Sequence, residues 1–156
     1  MKSQLLTILL LFISTFTFAQ FRNTTWGMSK EQVRKIEKEK LEHDYNNKLV
    51  YQFLVEDFNA ELSYNFNNDD KLQTIEYIFR SPIQRTFIVN GKYPIWDKTV
   101  RNIISKYGQP TGKPSDKVYT WDLKDFSIKA VKGVFFDTEK IEVIYTPPAP
   151  SLKDIL

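Results

Sequence analysis

The chain has 156 residues, with 22 Lys and Arg against 19 Asp and Glu, a formal charge of +3, one His and no Cys. That near balance leaves no electrostatic footprint for nucleic acid. The missing Cys excludes disulfide staples, thiolate metal centres and lipid attachment through sulfur. A packed core must therefore stand on burial alone, and 12 Phe, 8 Tyr and 3 Trp make that feasible. Each buried aromatic removes ~150–250 Å² from water.

The chain opens on Lys2, then an uncharged apolar run from Leu5 to Phe18, then Ala19 before Gln20. A positive start, an apolar middle and small residues at the −3 and −1 positions predict a signal peptide over residues 1–19. The run is short and interrupted by Ser and Thr, whereas a membrane span needs roughly 18 or more apolar residues. The expected product is exported, periplasmic or secreted, with no stable membrane anchor after cleavage.

A first α/β unit is expected over residues 20–80. Ser29 and Gln32 fit a capping box, with Met28 and Val33 at the staple positions, so a helix should run from about Lys30 to Leu41. Glu31 precedes Lys35 at the supportive four-residue spacing. Glu31, Glu37, Glu39 and Glu42 interrupt the lysines, which reads as a solvated helix face. Apolar alternation follows at Tyr51/Phe53/Val55, Ala60/Leu62/Tyr64/Phe66 and Ile75/Tyr77/Phe79. A period of two over short runs predicts strands with one buried and one wetter face. Asn67-Asn68-Asp69-Asp70 supplies turn chemistry between two of them.

A linker is expected over residues 81–94, containing Pro82 and Asn90-Gly91, and a second α/β unit over 95–146. Trp96, Val100, Ile103, Ile104 and Tyr107 form one apolar helix stripe, ended by Gly108 and Pro110. Strand alternation returns at Tyr119/Trp121/Leu123, Phe126/Ile128/Ala130 and Ile141/Val143/Tyr145. Residues 147–156 form a Pro-containing tail.

YQFLVEDF at 51–58 returns as YTWDLKDF at 119–126, and IEYIF at 75–79 as IEVIY at 141–145. Trp26 and Trp96 open the two helical segments at nearly the same spacing. The ordered set predicts a duplication. The fold class expected is α+β, as tandem helix-then-antiparallel-strand units with the helices packed on one face of an antiparallel sheet.

Residues that carry chemistry are sparse. His43 is alone, so neither a Ser/His/Asp arrangement nor a zinc site has support. Asn67–Asp70 lacks the Gly and terminal Glu of a calcium loop. No Gly-rich phosphate loop exists among five glycines. Asp57 and Asp125 precede Phe in both copies, where hairpin geometry explains them. No cofactor, no metal, no nucleic-acid partner and no enzymatic activity are expected.

Gly27-Met28-Ser29-Lys30-Glu31-Gln32-Val33 resembles the G-M-[ST]-x-x-x-V start of small outer-membrane assembly lipoproteins of the SmpA/BamE type. Tyr107-Gly108-Gln109-Pro110 is similar to the G-x-P that ends a helix in that group. Two tandem helix-plus-sheet units also resemble the β-lactamase-inhibitor protein, and the aromatic-then-W-G-x-S-x-E-x-V start resembles small exported proteins of Gram-negative bacteria. The resemblance implies two α/β units with a sheet face open to a protein partner. Without a lipoprotein Cys, membrane anchoring does not carry over.

The expected function is an exported, non-enzymatic protein-binding module of the cell envelope, inhibitor-like or an assembly accessory. Its partner would be another envelope or secreted protein. The alternatives are a small-ligand or lipid-binding protein and, less favoured, a carboxylate-dependent hydrolase. By strand phase, Gln52, Glu56, Glu61, Ser63 and Glu76 point away from the aromatic core, with Thr120, Asp122, Ser127, Lys129 and Glu142 in the second copy. These ten are the candidate binding residues.

Overall fold

The computed structural model describes residues 22–55, 58–82, 94–135 and 138–148. The expected signal peptide, most of the expected linker, Glu56, Asp57 and the tail from 149 onward lie outside the described residues. Among these, α1 spans Lys30–Ile36 and is followed by β1 (Lys40–Tyr45), β2 (Lys48–Val55), β3 (Phe58–Phe66) and β4 (Leu72–Pro82). Then come α2 (Pro94–Tyr107), β5 (Gly112–Ser115), β6 (Val118–Asp122), β7 (Ser127–Phe135) and β8 (Thr138–Thr146).

All eight strands belong to one sheet, in the order β1-β2-β3-β4-β8-β7-β6-β5. Every neighbouring pair is antiparallel. Two four-stranded meanders meet where β4 lies against β8, with Ile75 opposite Tyr145 and Phe79 opposite Ile141.

This architecture corrects the expected α+β class. Instead of tandem α/β units, one continuous eight-stranded sheet dominates the described chain, with helices of only seven and fourteen residues. The fold is closer to all-β. One physical reason lies just after α1. The helix stops at Ile36, Glu37 turns to extended backbone at φ −72 and ψ 133, and the charged run becomes the edge strand β1. With every residue of β1 exposed, charges on both of its faces are tolerated there as well as on a helix. A second reason is Gly112–Ser115, which pairs as the opposite edge strand despite Pro114. Proline is admissible at a sheet edge because its missing donor faces outward.

Local signals explain where the remaining elements begin and end. At the start of α1, Ser29 and Gln32 complete the capping box in both directions. Asn67 Oδ1 accepts from the backbone N–H of Asp69 and Lys71 at 3.0 and 2.9 Å, closing the turn between β3 and β4. Gly108, at φ +86, ends α2 in the left-handed region where a Cβ would be strained. Its carbonyl then accepts from the Trp121 indole N–H at 2.9 Å.

Both helices lie on the same face of the sheet. Val33 of α1 is buried with Leu49, Tyr51, Leu62, Tyr64, Phe66, Leu72 and Ile75. Ile95, Trp96, Val100 and Ile103 of α2 are buried with Trp121, Ile128, Ala130, Ile141 and Val143. Tyr77 and Tyr145, diagonal neighbours in edge-to-face ring contact across the β4–β8 seam, pack against both clusters and fuse them. Phe53 and Trp121 are not equivalent, as the repeat would require: Trp121 is fully buried, whereas Phe53 is half-buried.

Candidate interaction surface

Register fixes which side chains share the face opposite the helices. Gln52 lies across from Glu61, Ser63 from Glu76, Thr120 from Lys129 and Asp122 from Ser127. Glu142 lies across from Ile78 on one side and Val131 on the other. Nine of the ten candidate residues therefore share this outer face, and Glu56 lies outside the described residues. Eight strands at about 4.8 Å span about 35 Å, and strand lengths of roughly 20–30 Å give about 700–1,000 Å² of face.

The nine differ in accessibility. Gln52, Asp122 and Lys129 are exposed, while Glu61, Glu76, Thr120, Ser127 and Glu142 are half-buried. Ser63 departs from the expectation of an outward, hydrated residue: it points outward in phase but is fully buried. The register supplies the reason. Lys48 on β2 reaches Glu76 on β4 at 3.8 Å, so this pair spans β3 above Ser63 and its neighbour Asn65. The Ser63 hydroxyl also donates to Glu61 Oε1 at 3.5 Å.

Further pairs tie the face together. Arg80 meets Glu61 at 3.1 Å, and Lys140 pairs with Glu142. The Ser127 hydroxyl donates to Asp122 Oδ1 at 3.0 Å, and Thr111 Oγ1 accepts from the Asp122 backbone N–H at 3.0 Å. Arg80, Glu61 and Glu142 surround Ile78, which with Val50 is buried on this face. Lys129 has no ion pair among the described residues. The surface is thus a charge-balanced, largely polar layer, with Tyr45 and Leu54 as its exposed apolar side chains.

Strand phase identifies the candidate residues but not the cross-strand partners Lys48 and Arg80, which become visible only once the register is known. Lys140 stands two residues before Glu142 on the same strand, where phase alone puts both on one face.

The helix side carries a second polar arrangement that strand phase does not reveal. The Tyr64 hydroxyl donates to Glu37 Oε2 at 2.6 Å, and Arg22 donates to Glu37 at 3.3 Å and to Glu39 at 2.6 Å. The Glu37 side chain is only 3% exposed. Burial pushes its carboxyl upward, but the Tyr64 bond, the backbone N–H groups of Glu39 and Lys38, and Arg22 outweigh this and hold it below the usual carboxylate range. The Arg22 guanidinium also lies 5.2 Å over the Phe53 ring. Burial raises the Tyr77 hydroxyl to about 12, so it stays protonated at neutral pH. Among the described residues, no cluster of His, Cys, Asp and Glu has the geometry to hold a metal ion. No described helix is long and apolar enough to cross a membrane.

No family model, no curated protein and no solved structure matches the chain.

Proposed function

We propose that the chain is an exported, non-enzymatic protein-binding module that engages another envelope or secreted protein through the outer face of its sheet. The observation carrying this reading is that both described helices lie on one side, leaving a largely polar face of about 700–1,000 Å² on the other. A standard interface buries about 800 Å² per partner. The in-plane ion pairs neutralise the face, so recognition there would rest on shape and hydrogen bonding, with affinity concentrated in a few residues. Gln52 on β2 and Lys129 on β7, both exposed, are the polar side chains from which such contacts would start, one in each half of the sheet.

Site-specific photo-crosslinking tests the surface. A photoreactive side chain placed at Gln52 or Lys129 should give a discrete adduct in envelope extract, and one placed at Asn102 on α2 should not. Adducts formed only from Asn102 would rule out the sheet face. The export half of the proposal has its own measurement. Intact mass of the secreted product should correspond to a chain beginning at Gln20, and a product retaining Met1–Ala19 would overturn it.

A further inference from the structure

The two helices differ in how their cations are satisfied. On α1, Lys30 and Arg34 pair with Asp44, and Arg34 and Lys35 pair with Glu31. On α2 the exposed positions are Lys98, Arg101, Asn102, Ser105 and Lys106, one solvent-facing stripe at helical spacing. Lys113 follows on the exposed strand β5. Neither Arg101, Lys106 nor Lys113 has an acidic partner within ion-pair distance among the described residues. The one acid on the helix, Asp97, is half-buried in its first turn, and Asp116 and Asp125 sit in hairpin turns.

We propose that the outward face of α2, together with Lys113, is an electrostatic docking surface for a bilayer bearing anionic lipid headgroups. The cations lie in an exposed row on a helix surface instead of converging on a single bound anion. A row of point charges suits a fluid array of headgroups better than one placed phosphate. Two of the lysines also rest on tyrosine rings, Lys106 at 5.0 Å from the Tyr107 centroid and Lys113 at 4.8 Å from that of Tyr119. In both, the ammonium itself lies over the face of a half-buried tyrosine, a cation–π contact that leaves no counter-ion bound and pairs lysine with tyrosine as lipid–water boundaries do. Docking on this side would turn the outer sheet face away from the lipid, so both surfaces could be occupied at once.

The test is co-sedimentation of the full chain with phosphatidylcholine vesicles, with and without phosphatidylglycerol. Any contribution of the apolar leader is common to all variants compared. Wild type should partition more strongly onto the anionic vesicles, and added salt should remove the difference. Arg101→Gln with Lys106→Gln should weaken anionic-vesicle partitioning by about 30-fold, about fivefold for each near-surface cation. Lys38→Gln with Lys71→Gln removes the same charge from exposed positions elsewhere and should change it by no more than about twofold. Thermal melts should leave both double variants near wild type. Equal binding to both vesicle types, an equal loss in the two double variants, or binding to acidic protein or nucleic acid but not to anionic vesicles would each overturn the proposal.

Discussion

Tyr64→Phe removes one oxygen from a site where almost nothing else needs to move. The residue is fully buried, and its hydroxyl is 2.6 Å from Glu37 Oε2. A hydrogen bond to a charged group contributes about 1.5–3 kcal/mol. The retained partners, Arg22 and the backbone N–H groups of Lys38 and Glu39, all reach Oε1, so the charge stays paired while Oε2 loses its described bond, and about 2 kcal/mol is expected at neutral pH. The pH dependence has a definite sign. The folded-state pKa of Glu37 lies below its unfolded value, so its contribution is present above the unfolded value and lost as pH falls through the folded one. In the variant the folded value moves up toward the unfolded one. The gap between wild type and Tyr64→Phe should therefore narrow as the carboxyl protonates, below about pH 4. Urea titrations at neutral and acidic pH, with equal m-values, measure both gaps. A gap of under about 0.5 kcal/mol at neutral pH, or one that does not change with pH, would refute the hydrogen-bond argument.

Two further outcomes follow from the packing. Trp121→Ala should cost about 3–5 kcal/mol, whereas Phe53→Ala, which starts half-buried, should cost about 1–2 kcal/mol by denaturant titration. A near-neutral result at Trp121 would mean that the register of β6 is wrong. Glu139 is buried, and burial raises its carboxyl more than the Trp96 N–H and Lys132 lower it. A raised folded pKa gives stability that is full below the unfolded value and lost as pH rises through the folded one. Glu139→Gln should flatten that loss between acidic and neutral pH while still accepting from the Trp96 N–H at the start of α2. Thermal melts across that window that superimpose on wild type would sink the prediction.

Strand phase was readable because burial imposes a period of two. Leu49, Tyr51, Leu62, Tyr64, Ile75, Ile128, Ile141 and Val143 all lie on the helix-covered face, as alternation requires. The cap at Ser29 and the stop at Gly108 were readable because each is a local backbone problem with few chemical solutions. Both edges were not. KLEHDY in β1 buries nothing, and its alternating charges fit a wet helix face equally well. GKPS in β5 looks like a breaker until an edge makes Pro114 admissible. The candidate face was legible as a phase but not as a surface. Whether Ser63 is wet or covered depends on Lys48 and Glu76, which lie two strands apart.

The seam between β4 and β8 has a consequence for how the chain is made. Of the described strands β8 is synthesised last, yet it lies in the middle of the sheet with neighbours on both sides. Until it emerges, β1–β4 can assemble into a meander whose β4 edge ends in unpaired backbone groups, and β7 has no outer neighbour. Pairing Ile75 with Tyr145 closes a loop across nearly half the chain, and contacts of that range are slow to form. The nascent protein therefore passes through a stage with a long open edge, the geometry that recruits other chains. A chain stopped before Thr138 would be held at that stage: it would lack not a terminal appendage but the strand that joins its two meanders.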